Sequence, residues 1–127
     1  MTDQEPQNRK VLVLDDEEDL TFLLRSVLEF NHFNVTVAND PLKALKLLEQ
    51  EAYDLFITDY RMDGLNGMEV IGRLRNFPIA EKMKIIMLTF MDLADDEVKS
   101  LSKYNALYLR KPFLPNELIQ KIWDIFT

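Results

Sequence analysis

Val11-Leu12-Val13-Leu14-Asp15-Asp16-Glu17 is the stretch from which the rest of the chain can be read. Four apolar residues, two of them β-branched, stop abruptly at three acids. A short apolar run without polar alternation predicts a strand covered on both faces, as in parallel sheets. Leu20, Leu23, Leu24, Val27 and Leu28 follow at i, i+3, i+4, i+7 and i+8, the spacing of one face of an amphipathic helix. A strand leading into a helix is half of a crossover unit, so the question is whether the unit repeats.

It repeats along the chain. Phe33 to Val37 alternates and predicts a second strand. Asn39-Asp40-Pro41 offers a cap and a first-turn proline for a helix to about Glu51, with Leu42, Leu45, Leu48 and Ala52 expected on its inner side. Leu55-Phe56-Ile57 predicts a third strand ending at Asp59, and a loop with Gly64 and Gly67 leads to a helix carrying Met68, Ile71 and Leu74. Ile85 to Leu88 predicts a fourth strand ending at Thr89, followed by an acid-rich helix over about 95–103. Ala106 to Leu109 predicts a fifth strand before Lys111-Pro112. Asn116 is expected to cap a last helix with Leu118, Ile119, Ile122, Trp123 and Phe126 on its apolar side.

Strands alternating with helices imply right-handed crossovers and a parallel sheet with helices on both faces. Five such units predict an α/β fold with a flavodoxin-like, doubly wound, five-stranded parallel sheet and five helices; the order 2-1-3-4-5 is taken from known folds of that kind. The 127 residues suffice for one domain with a real core. Residues 1–8 are expected to be a flexible leader and residues 9–127 the domain. With no cysteine, the chain offers no disulfide framework or thiol chemistry. The net charge of −7, without an Arg/Lys-rich stripe, argues against direct nucleic-acid binding. Met1 to Lys10 lacks the apolar core of a signal peptide, and no run approaches the roughly 20 apolar residues that span a bilayer. A cytoplasmic protein without membrane contact is expected.

In an open parallel sheet, ligands sit beyond the carboxyl ends of the strands. Asp15, Asp16 and Glu17 follow the first strand, Asp59 ends the third, Thr89 the fourth, and Lys111 follows the fifth. Singly, each has a bland explanation, since an Asp after a strand is usually a cap or turn former. Jointly, they bring carboxylates, a hydroxyl and an ammonium to one rim. Clustered carboxylates repel and raise one another's pKa. A Mg²⁺ ion removes that conflict by taking carboxylate, water and phosphate oxygens.

These features carry a resemblance. Asp15-Asp16, Asp59-Tyr60-Arg61-Met62 ending in Gly67, Thr89 after Met87-Leu88, and Tyr108-Leu109-Arg110-Lys111-Pro112-Phe113 resemble, in this order, the receiver domains of response regulators. The likeness covers roughly residues 9–126. It implies that Asp59 is the phosphoacceptor. Asp16 and Asp59 would bind Mg²⁺ through their side chains, with the Arg61 backbone carbonyl as a further ligand and Asp15 acting largely through water. Thr89 would hydrogen-bond a phosphoryl oxygen, Lys111 would pair with it, and Tyr108 matches an aromatic switch position. A cis bond before Pro112 is implied. The implied donor is a phosphohistidine on a sensor histidine kinase or phosphotransfer protein. The output would be a downstream protein or a homodimer through the face of the fourth helix, fifth strand and fifth helix. Such a chain is a phosphoacceptor switch assisting its own phosphorylation and dephosphorylation, not an enzyme. His32, the one histidine, falls in a turn remote from the rim.

The sequence departs from the family pattern at several places. Asp63 stands where proline is usual, and Phe90 stands where a small residue is usual. Asn105 replaces a glycine that would take a left-handed conformation. Arg61 and Met91 occupy positions that tune phosphoryl lifetime, so the Arg61 side chain is expected to affect hydrolysis. The rival expectation, a receiver-like interaction module independent of phosphorylation, calls for a missing acid, threonine or lysine, and none is missing. Because the chain ends with the fifth helix, no effector domain is expected within it; a stand-alone regulator and a piece of a longer one both fit.

Overall fold

The computed structural model describes residues 8–126. The expected leader falls mostly outside them; Asn8, the first described residue, donates its backbone N–H to the His32 carbonyl at 2.7 Å. Five strands, β1 (Lys10–Leu14), β2 (Asn34–Ala38), β3 (Leu55–Asp59), β4 (Lys84–Thr89) and β5 (Ala106–Arg110), alternate with α1 (Glu18–Phe30), α2 (Pro41–Gln50), α3 (Gly67–Leu74), α4 (Asp95–Lys103) and α5 (Pro115–Phe126). All pairings are parallel, in the order β2-β1-β3-β4-β5.

Because successive side chains of a strand point to opposite faces, the apolar runs feed two cores. Leu12, Leu14, Phe56, Ile85 and Met87 pack with α2, α3 and α4. Val11, Val13, Leu55, Ile57, Ile86 and Leu88 pack with α1 and α5. That is why these strands carry no polar alternation. Asp40 caps α2 through the Leu42 N–H, with Pro41 in the first turn. Asn66 and Glu69 form a reciprocal capping box on α3. Asn105 takes a left-handed φ of 58°, the role expected of it after α4.

Some side chains face differently from expectation. Leu23 and Leu42 are exposed, and Ala52 lies beyond the end of α2, also exposed. The buried side of α2 is Pro41, Ala44, Leu45 and Leu48. Both leucines sit at the margins of an apolar stripe, where periodicity alone does not fix the facing. On α3, Val70 takes the buried position, while Met68 is half-buried. Asn116 is not the cap of α5, since the helix starts at Pro115. There the Glu117 carboxylate accepts from the Leu114 N–H at 2.8 Å, one residue before Pro115. A proline fits a first helical turn because its missing N–H would be unpaired anyway.

Candidate functional site

The ladder raises the acidic and basic groups to one edge. Leu14 is level with Thr58, so Asp15 follows at the height of Asp59; Asp59 is level with Leu88, and Thr89 with Arg110. The Lys111 N–H then continues the ladder to the Thr89 carbonyl at 2.8 Å. The Lys111-Pro112 bond is cis, as expected. Gly67 begins α3 against the end of β3: a Cβ there would lie 2.5 Å from the Asp59 carbonyl oxygen, so only glycine allows this approach.

Asp15, Asp16 and Asp59 each place a carboxylate oxygen within 4.8 Å of the others. Lys111 Nζ donates to Asp59 Oδ1 at 3.0 Å and lies 3.9 Å from Asp15 Oδ2. Asp59 Oδ1 also accepts from the Tyr60 N–H at 3.0 Å. Asp15 is 1% exposed, and its Oδ1 accepts from the Glu17 N–H at 2.8 Å. Its Oδ2 is buried without a hydrogen-bond partner. Burial, ahead of the neighbouring acids, pushes the Asp15 carboxyl up to about 6. A buried acceptor oxygen beside two further carboxylates is a donor set suited to a hard divalent cation.

A cavity of about 270 Å³ opens over this cluster, lined by Glu17, Asp59, Arg61, Thr89, Phe90, Met91 and Lys111. Thr89 is buried, and its Oγ1 accepts from the Met91 N–H at 3.0 Å. The Arg61 guanidinium reaches the Met91 sulfur at 3.4 Å, so these two side chains meet at the cavity. Lys111 Nζ lies 5.2 Å from the centroid of the exposed Phe90 ring, within cation–π range. Asp63 donates its N–H to Asp16 Oδ2 at 3.3 Å, a bond that proline could not make.

The profile of the response regulator receiver domain family matches residues 11–123. The chain belongs to this family. It is 39% identical over 112 residues to an uncharacterized 14.6 kDa protein of Leptolyngbya boryana, covering 88% of this chain and 86% of that one. It is 37% identical to the alkaline phosphatase synthesis transcriptional regulatory protein PhoP of Bacillus subtilis, covering 91% of this chain and 47% of the regulator. The chain thus spans about half the length of that regulator. The Francisella response regulator 1452 receiver domain superposes with a TM-score of 0.82 at 32% identity, over 94% of this chain and 97% of that one. Receiver domains are signalling switches that work with sensor kinases or phosphotransfer proteins and with downstream effectors.

In this receiver domain, Asp15, Asp16, Asp59, Thr89, Lys111 and Arg61 come together at the rim. Tyr108 does not share that cavity. It is level with Met87, two residues below the Thr89–Arg110 pair, half-buried and lining a second cavity with Val98 and Leu101 of α4. His32 sits in an exposed turn with a φ of 71°. Among the described residues no helix is long and apolar enough to cross a membrane. One further contact has no signal in the sequence: the Tyr60 hydroxyl donates to Glu97 of α4. That bond pushes the Tyr60 pKa up, with burial adding to it. The partners are 37 residues apart, beyond any local pattern.

Proposed function

We propose that residues 9–127 act as a cytoplasmic phosphoacceptor switch in which Asp59 takes a phosphoryl group from a phosphohistidine. The observation that carries this is the Lys111 ammonium 3.0 Å from Asp59 Oδ1, beside three carboxylates with oxygens within 4.8 Å of one another. Phosphoryl transfer passes through a loose transition state with charge on the equatorial oxygens, so positioning and neutralisation do most of the catalysis. An Asp59 carboxylate oxygen forms the new P–O bond as the P–N bond to the donor imidazole breaks. The imidazole leaves with the bonding pair and takes up a proton. Lys111 offers positive charge to the phosphoryl oxygens. Thr89 Oγ1 already accepts from the Met91 N–H, which leaves its own hydrogen free to donate to one of them.

The donor set fits Mg²⁺, which Asp16 and Asp59 would hold with the Arg61 carbonyl, Asp15 acting through water; when bound it supplies further positive charge to the phosphoryl oxygens. The partners of this reading are a sensor histidine kinase or phosphotransfer protein and, on the output side, a downstream protein or second copy at the face of α4, β5 and α5. Drawing Thr89 toward the phosphoryl group shifts the loop after β4, and Tyr108 follows into the space beside α4. The chain assists its own phosphorylation and dephosphorylation rather than turning over a separate substrate. A role independent of phosphorylation finds no support in a rim that keeps every acid, the threonine and the lysine.

The test is incubation with Mg²⁺ and acetyl phosphate followed by intact-mass measurement. Wild type is expected to gain the mass of one phosphoryl group and Asp59→Asn none. Equal gain in both would reject Asp59 as the acceptor.

A further inference from the structure

α4 buries fewer residues than any other of the five helices. Leu101 is its one fully buried residue, and it packs chiefly on β5. Its first turn holds Asp95, Asp96 and Glu97, and Ala94, which precedes it, has no side-chain acceptor to cap it. Glu97 does two jobs instead. Its Oε1 accepts from the Ala94 N–H at 3.1 Å, closing the open end of the helix. Its Oε2 accepts from the Tyr60 hydroxyl.

Tyr60 is the residue after Asp59, and its backbone is fixed on the acceptor side. Its N–H is shared between the Leu88 carbonyl at 2.9 Å and Asp59 Oδ1 at 3.0 Å. Its carbonyl accepts from the Gly67 N–H at 2.7 Å, and its ring packs against the core under α2 and α3. One side chain therefore runs from the acceptor strand to the free end of α4.

We propose that the Tyr60–Glu97 hydrogen bond is a latch holding the N-terminal turn of α4 in its resting position, so that this turn swings only when the bond opens. The strength of the latch sets how much of the population rests. A charge-assisted hydrogen bond at a half-exposed position changes such an equilibrium roughly threefold to tenfold. Tyr60→Phe removes the hydroxyl and keeps the ring, whereas Glu97→Ala removes both the latch and the cap.

The experiment is hydrogen exchange on the full chain for wild type, Tyr60→Phe, Glu97→Ala and the double variant. Tyr60→Phe is expected to speed exchange roughly fivefold in the first turn of α4 and to leave β3 unchanged. Adding Tyr60→Phe to Glu97→Ala is expected to add nothing. Unchanged α4 exchange in Tyr60→Phe, loosening spread evenly over the chain, or additive effects in the double variant would each overturn the latch. A second arm rests on the phosphoacceptor reading: with Mg²⁺, beryllofluoride is expected to bind Tyr60→Phe several-fold more tightly than wild type, because the resting state it must displace is weaker. Failure of both proteins to bind beryllofluoride speaks against that reading and leaves the exchange arm to judge the latch. Equal binding by the two proteins overturns the latch as a control on the switch.

Discussion

β1 and β5 belong to one sheet and are equally long, but they are built to different standards. In β1 every residue from Val11 to Leu14 is buried, with a strand on either side and helices on both faces. β5 is an edge strand in which only Ala106 is buried, and Leu107 is 44% exposed. The helices follow suit: α2 buries four residues and α4 one. Asp59 thus stands on the well-packed half, between β1 and β4, while the thinly packed half borders it on one side. Rigidity where geometry must be kept, and slack where a change must be passed on, is the division a switch requires.

The largest test of this contrast is a pair of truncations. Phe56→Ala, in the centre of β3, is expected to lower unfolding free energy by about 3–5 kcal/mol. Leu101→Ala is expected to cost about 2 kcal/mol and to raise hydrogen exchange mainly in α4. Equal costs with equally global exchange would erase the distinction. Urea titration and exchange on both variants decide it.

A smaller effect is expected at the lip of the well-packed half. The Asp15 carboxyl stands at about 6 in the fold, against 3.8 ordinarily. The folded chain therefore holds that proton more tightly, and stability falls as pH rises between about 4 and 6. Above that range the full penalty remains. In chelator, Asp15→Asn is expected to stabilise the protein on the order of 2 kcal/mol at about pH 7 and to have little effect near pH 4. Mg²⁺ should then stabilise wild type more than the variant. Urea midpoints at the two pH values check the sign, and a variant less stable at neutral pH would contradict it.

The smallest effect sharpens the comparison through position rather than size. Phe30, in α1, is 83% exposed, although α1 covers the well-packed half. Phe30→Ser is expected to change stability by no more than about 0.5 kcal/mol. A large loss in a thermal melt would mean that burial by itself does not mark the stiff region.

The level of the rim was legible because chain direction fixes it, whereas the strand order came with the flavodoxin-like fold. An acid after an apolar run must emerge at the strand's carboxyl end, and parallel register puts Asp15, Asp59, Thr89 and Lys111 side by side. The cap at Asp40 and the left-handed Asn105 were legible from local chemistry, and the cis bond before Pro112 from the family resemblance. Leu23, Leu42 and Ala52 were misplaced because a helix margin is set by what packs on it, and periodicity does not see the neighbour. Tyr60 with Glu97, and Arg61 with Met91, join residues far apart in the chain, and no spacing rule pairs them. Asp63, standing where proline is usual, could not be given a role from the sequence. In the fold it supplies an N–H for Asp16.

Arg75, just past the end of α3, donates to the carbonyls of Ala80 at 2.8 Å and Met83 at 3.1 Å, and to that of Tyr104 at the far end of α4. Its guanidinium thus bolts the trailing end of α4 to the start of β4. With its tail fastened there, α4 under the proposed Tyr60–Glu97 latch would swing about a pivot near Tyr104, with its widest arc near Asp95. Any partner that senses this helix would therefore feel the acidic tip travel while the tail stays put.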